Sequence, residues 1–297
     1  MLADIFTPVG IYLRLRDRFR DVVLLESADH RAADNSYSFI GINAIGGIEI
    51  SSLDSVETKF PGERPERIAL KEAAQVPTLL WDFMRRFDVK PSTVKEARYA
   101  QGLFGYSAYN AVQFFDTISL SAGGETPLVP LMRYRLYQYV IAFNHFKDEL
   151  FLCENIIPGL ESGTEEVESL IRSKDVPEYP FNTINGETSN MSDEDYRQMV
   201  VKGIQSCYRG DVFQIVLSRR FTQQFAGDEF NVYRALRSIN PSPYLFYFDY
   251  GGYRLMGSSP EAQLVIKDGN AVLHPIAGTF KRTGNEAADK ERADELL

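Results

Sequence analysis

Apolar positions along this chain fall first in short runs broken by turns, then at helical spacing, then again in strand-like runs. Val22-Val-Leu-Leu25 and Tyr37-Ser-Phe-Ile40 have the length of strands, and Gly46-Gly47 is placed to turn the chain into Ile48-Glu-Ile50. Short apolar runs at even spacing predict antiparallel sheet. Over 77–87 the pattern changes. Leu79, Leu80, Phe83, Met84 and Phe87 mark one face of a helix. Glycine-rich Gly102-Leu-Phe-Gly-Tyr106 follows, then a strand-rich stretch over 131–153.

Polarity rises over 161–191, where Pro, Gly, Asn and Glu recur. A short helix is predicted at 165–172, and 173–191 reads as a linker. The chain then divides into an N-terminal region, 1–175, and a second region, 190–297. The second region opens on the clearest local signal. Ser192-Asp-Glu-Asp195 has the form of a capping box, with an acidic group at the third position to reach back. Tyr196, Met199, Val200, Gly203, Ile204 and Cys207 form one apolar stripe at helical spacing, and Gly210 is placed to end the helix. Asp211-Val-Phe-Gln-Ile-Val-Leu-Ser-Arg-Arg220 reads as a strand, with Gln214, Val216 and Ser218 on one face and Phe213, Ile215 and Leu217 on the other. Gly251-Gly252 and Asp268-Gly269 are hairpin signals, and a further helix is predicted from 285 onward.

Composition narrows the class. The 297 residues are 44% hydrophobic, enough for one large core or two smaller ones. A net charge of -9, with no compensating basic block, argues against nucleic acid or an anionic membrane as partner. The two cysteines, Cys153 and Cys207, form no disulfide framework or ligand spacing, which suits a reducing compartment. The first residues lack the basic and apolar regions of a signal peptide, and no apolar run reaches membrane-spanning length. A soluble, cytoplasmic protein is expected.

Several positions admit either a bland or a chemical reading. Gln214 and Ser218 suit a half-exposed strand or the polar wall of a substrate cavity. Pro275-Ile-Ala-Gly-Thr279 suits a strand-ending turn, or a cradle in which the Gly278 amide and the Thr279 hydroxyl hold a carboxylate. Glu261 is either a surface glutamate or a general acid. Asn240-Pro-Ser-Pro243 is a rigid turn, or the wall of a site for a flat ligand. Glu26-Ser27 satisfies local backbone groups, or offers a carboxylate and a hydroxyl to a bound amino acid. His30, His145 and His274 show no ligand spacing and read as structural or exposed.

Taken in order, Leu24-Leu-Glu-Ser27, Tyr37-Ser-Phe-Ile-Gly41, Gly210-Asp-Val-Phe-Gln-Ile-Val-Leu-Ser-Arg-Arg220, Asn240-Pro-Ser-Pro-Tyr244, Gly257-Ser-Ser-Pro-Glu261 and Pro275-Ile-Ala-Gly-Thr279 resemble component I of anthranilate synthase, one of the chorismate-utilising enzymes. The resemblance covers nearly the whole chain. It implies an α+β fold in which antiparallel sheets pack as a sandwich with helices outside. It also implies a lyase that converts chorismate and ammonia to anthranilate and pyruvate for tryptophan biosynthesis. Mg2+ is the implied cofactor, a glutamine amidotransferase subunit is the implied ammonia source, and tryptophan is the implied feedback inhibitor.

Within that family two positions separate the branches. Relatives that add water carry a lysine base where this chain has Gln214, and a neutral amide cannot deprotonate water, whereas ammonia is already nucleophilic. Aminodeoxychorismate synthases commonly carry a lysine nucleophile where this chain has Ala277. By position, the resemblance assigns Glu261 to protonation of the departing ring hydroxyl. It places Gln214 in the catalytic wall and Ser218, Gly278 and Thr279 at chorismate. Glu26, Ser27, Tyr37, Asn240, Pro241, Ser242, Pro243, Tyr244 and Leu245 match the tryptophan site. At Tyr37 some relatives carry lysine, and at Leu245 many carry methionine, which is similar in volume to leucine. The family's catalytic histidine and Mg2+-binding glutamates have no counterpart here. The metal ligands are therefore expected beyond Leu297, none within this chain, and the chain is expected to be truncated and inactive alone. The alternatives are aminodeoxychorismate synthase component I and a catalytically inactive tryptophan-binding fragment.

Overall fold

Thr7 and Pro8 start the first helix. The Thr7 hydroxyl accepts the Gly10 amide at 3.0 Å, and a proline at the first helical position sacrifices no hydrogen bond. The computed structural model describes residues 1–27, 36–120, 128–267, 269–275 and 281–294. In chain order the elements are α1 Pro8–Leu15, β1 Val22–Glu26, β2 Tyr37–Ser52, β3 Ser55–Lys59, β4 Glu66–Ala69, α2 Val76–Arg85, α3 Lys95–Ala100, β5 Phe104–Ser107, β6 Met132–Asn144, β7 Glu149–Glu154 and α4 Thr164–Arg172. They continue with β8 Phe181–Ser189, α5 Asp193–Arg209, β9 Phe221–Gly227, α6 Phe230–Ile239, β10 Tyr244–Asp249, β11 Arg254–Ser259, β12 Val265–Lys267, β13 Asn270–Val272 and α7 Glu286–Asp294. The class is the expected α+β, with antiparallel sheets and helices. Two compact units divide it: Met1–Pro177 with Leu236–Leu297, and Glu178–Ala235.

The first unit is built on a nine-stranded antiparallel sheet in the order β11-β10-β1-β2-β3-β4, with β6 also on β2, and β5 and β7 on β6. The long strand β2 organises it. One edge of β2 takes β1 at residues 39–41 and β3 from residue 47 onward, while β6 lines the other edge. The turn expected at Gly46-Gly47 does not form; the strand runs through, with a register shift between Ala44 and Gly46. Close approach of neighbouring backbone explains the two glycines. A Cβ at Gly46 would lie 2.8 Å from the Lys59 carbonyl oxygen, and one at Gly47 only 2.2 Å from that of Tyr134.

The predicted helix over 77–87 is α2. Phe83 is buried, and Leu79, Leu80 and Phe87 pack on a cluster that includes Ile48, Ile50, Val56 and Val76. Met84 stays largely exposed. A second cluster joins Val23, Ala100, Tyr137, Val140, Cys153, Phe248 and Tyr250. The Gly251-Gly252 signal is the β10–β11 hairpin. The β12–β13 hairpin closes where Asp268-Gly269 was expected to turn, although Asp268 lies outside the described residues.

In the second unit α5 follows its sequence signals. The Ser192 hydroxyl accepts the Asp195 amide at 3.1 Å, the Asp195 carboxylate accepts the Ser192 amide in return, and Gly210 ends the helix at φ 79°. Tyr196, Met199 and Val200 are half-buried and Gly203 is buried, but Ile204 and Cys207 are exposed. Residues 181–189, expected within a linker, form β8 and pair antiparallel with β9. The strand expected over 211–220 is a correction: the segment makes no ladder among the described residues. Alternation decides which side chains face together, but a strand also needs a neighbour to take its amides and carbonyls. Ile215 and Leu217 instead lie against Gly203 of α5, and Phe213 is fully exposed.

Candidate functional site

The residues matched to an amino-acid site gather in the first unit, where β1 ends beside the start of β10. In the ladder Glu26 opposes Leu245, and both are buried, at 5% and 2% exposure. The turn before β10 is held at both ends. The Asn240 amide closes α6 by donating to the Leu236 carbonyl at 2.9 Å, and the Ser258 hydroxyl of β11 donates to the Asn240 carbonyl. Ser242 is buried between half-exposed Pro243 and exposed Pro241. Tyr244 opens β10 opposite Ser259 and is exposed. Ser27 follows Glu26 directly and is half-buried.

Glu26 is the buried carboxylate at this end. Its carboxylate Oε2 accepts the Arg237 Nε at 3.0 Å, from the last turn of α6. The sequence reading missed both α6 and Arg237. Phe230, Tyr233 and Leu236 recur every third residue before Pro241, and that was the available signal.

Tyr37 opens β2, the strand on the other side of β1. Its ring stacks on Phe39 with centroids 6.0 Å apart and meets Tyr99 edge-on at 5.3 Å. Its hydroxyl donates to Glu96 Oε1 at 3.0 Å and accepts from Asn144 Nδ2 at 3.2 Å. Burial, reinforced by the bond to Glu96, pushes the Tyr37 hydroxyl above the ordinary tyrosine pKa. The Lys95 ammonium lies 5.1 Å from the ring centroid of Tyr37 and 5.9 Å from that of Tyr99. Lys95, Glu96 and Asn144 carry no signal in the sequence, because helix α3 and strand β6 meet Tyr37 only through the fold.

The residues matched to catalysis fall in both units. Gln214 and Ser218 are exposed on the extended segment of the second unit. Glu261 belongs to the first unit, just beyond β11; it is exposed, and its amide donates to the Ser259 hydroxyl at 3.2 Å. Ala277, Gly278 and Thr279 lie outside the described residues. His145 is structural, with Nε2 2.7 Å from the Ser38 hydroxyl; His274 is exposed, and His30 lies outside the described residues. Among the described residues, no three or more His, Cys, Asp or Glu side chains are grouped to hold a metal ion. Among the same residues no helix is long and apolar enough to cross a membrane.

The family model described as chorismate binding enzyme matches residues 49–297. The chain belongs to the chorismate binding enzymes. Within that family it is similar to anthranilate synthase component 1 of Thermus thermophilus, 32% identical over all of this chain and 62% of the relative. It is likewise similar to anthranilate synthase component 1 of Aquifex aeolicus, 30% identical over all of this chain and 61% of the relative. In fold it is similar to anthranilate synthase component I of Streptococcus pneumoniae, with a TM-score of 0.62 at 21% identity, covering all of this chain and 63% of that one. The chain thus spans about three-fifths of the length of these relatives.

Proposed function

We propose that this chain is part of a component I of anthranilate synthase. The whole protein would convert chorismate and ammonia to anthranilate and pyruvate, with ammonia supplied by a glutamine amidotransferase partner and tryptophan acting as feedback inhibitor. The observation that carries the reading is the 32% identity, over the whole chain, to a relative of that name. The residue chemistry agrees. Ammonia needs no base to attack, and Gln214 offers none. Glu261 is assigned to protonate the departing ring hydroxyl, Gly278 with Thr279 to hold a substrate carboxylate, and Ser218 to the substrate wall. Mg2+ is assigned to the whole protein rather than to the residues described. The effector site is assigned to Glu26, Ser27, Tyr37 and residues 240–245, with the Glu26 carboxylate receiving the ligand ammonium and the Asn-Pro-Ser-Pro turn flanking the indole.

The test is an assay of the complete gene product with chorismate, Mg2+ and an ammonium salt. Blue-fluorescent anthranilate is the expected product, and this chain alone is expected to make none. A product with the mass of 4-amino-4-deoxychorismate would move the protein to the folate branch. No turnover of chorismate would overturn the reading.

A further inference from the structure

We propose that Arg237 competes with a bound amino acid's ammonium group for the carboxylate of Glu26, and so sets how tightly the effector site binds. The inference rests on the effector reading of that site. The Glu26 side chain is 2% exposed, while that of Arg237, 3.0 Å away, is 46% exposed. This asymmetry matters. A carboxylate so buried is costly to leave without a cation, whereas a guanidinium already half in water is released at little cost. An incoming ammonium can therefore replace the guanidinium charge for charge at Glu26, with the local balance kept.

Arg237 is well placed for this exchange. It lies in the last turn of α6, where a cation is favoured by the helix dipole whether or not it touches Glu26. Three residues later the Asn240 amide closes the same helix end on the Leu236 carbonyl, and the turn carrying buried Ser242 follows. The side chain that guards Glu26 thus belongs to the segment that leads into the site's proposed wall.

Isothermal titration of this chain with tryptophan and with indole-3-propionate, which lacks the ammonium, tests the proposal. Arg237→Gln is expected to tighten tryptophan binding about threefold to tenfold by removing the competitor. Arg237→Ala, a second variant at the same half-exposed position, is expected to do the same. Indole-3-propionate is expected to gain nothing, and Arg237→Lys, which keeps the charge, is expected to bind tryptophan as the unaltered chain does. Melting curves establish that each variant is folded. Equal or weaker tryptophan binding by folded Arg237→Gln and Arg237→Ala, or an equal gain for indole-3-propionate, would overturn the competition while leaving the effector site in place. No tryptophan binding by the unaltered chain or any variant would overturn the effector reading and the competition with it.

Discussion

Replacing Tyr37 by phenylalanine removes one oxygen and little else. The ring keeps its place against Phe39 and Tyr99, so no cavity opens, and the loss isolates two hydrogen bonds. The first, to Glu96 Oε1 at 3.0 Å, joins a hydroxyl to a carboxyl group that is 8% exposed. The second, from Asn144 Nδ2 at 3.2 Å, leaves a buried amide donor without its acceptor, although the Asn144 carbonyl still takes the Phe146 and Lys147 amides. A hydrogen bond to a charged group contributes about 1.5–3 kcal/mol and a neutral one about 1, so Tyr37→Phe is expected to cost roughly 2–4 kcal/mol. With a urea slope of about 3 kcal/mol/M, the unfolding midpoint falls by about 0.7–1.3 M. Far-UV circular dichroism reads the transition, and the fluorescence of Trp81, the one tryptophan in the chain, supplies a second probe. Glu96→Gln completes a double-mutant cycle whose coupling is expected to exceed about 1 kcal/mol. A loss below about 0.5 kcal/mol at unchanged slope would refute the argument, because Glu96 would then be solvated as well without Tyr37 as with it.

Three further outcomes follow from the same structure. Gly41→Ala places a Cβ 2.6 Å from the Tyr137 ring and 2.8 Å from Val23 Cγ1, both fully buried, and is expected to cost at least about 1–3 kcal/mol in thermal unfolding. Gly252→Ala, where the Cβ meets nothing within 4 Å, is expected to stay within about 0.5 kcal/mol, and equal effects would contradict the packing argument. Cys153 is buried, which pushes its thiol to about 11, while Cys207 is exposed; a thiol reagent at neutral pH is expected to label one cysteine quickly and the second only after denaturation, and two fast equivalents would refute this. Burial raises the hydroxyls of Tyr12, Tyr106, Tyr137 and Tyr250 as well as that of Tyr37. Folded pKa values above the unfolded value near 10 leave stability intact below about pH 10 and remove it as the pH rises further, because only the unfolded chain then releases these protons. A melting temperature that stays level to about pH 11 would contradict that sign.

What was legible in advance was local. The Ser192 capping box and Gly210 set the ends of α5 because a helix terminus needs partners within a few residues, and those residues are adjacent in the chain. The Gly251-Gly252 hairpin was readable for the same reason. The order of short motifs from Leu24 to Thr279 was enough to point to the chorismate-utilising family, since each motif keeps its identity wherever the chain carries it.

Where a residue's environment comes from distant chain, the pattern misled or was silent. Gly46-Gly47 has the composition of a turn, yet the Lys59 and Tyr134 carbonyls press on it and make it the tight centre of a continuous strand. Residues 211–220 alternate as a strand does, but no described neighbour forms a ladder with them. Glu26 was visible as a candidate from its motif, while its guanidinium partner stands 211 residues away and Glu96 stands 59 residues from Tyr37. The amino-acid sequence settled the family, the helix caps and the tight hairpins, all of which depend on near neighbours. Only the folded chain decided which charge faces Glu26, which acid takes the Tyr37 hydroxyl and which apolar run becomes a strand, because each depends on groups that folding alone brings within a few ångströms.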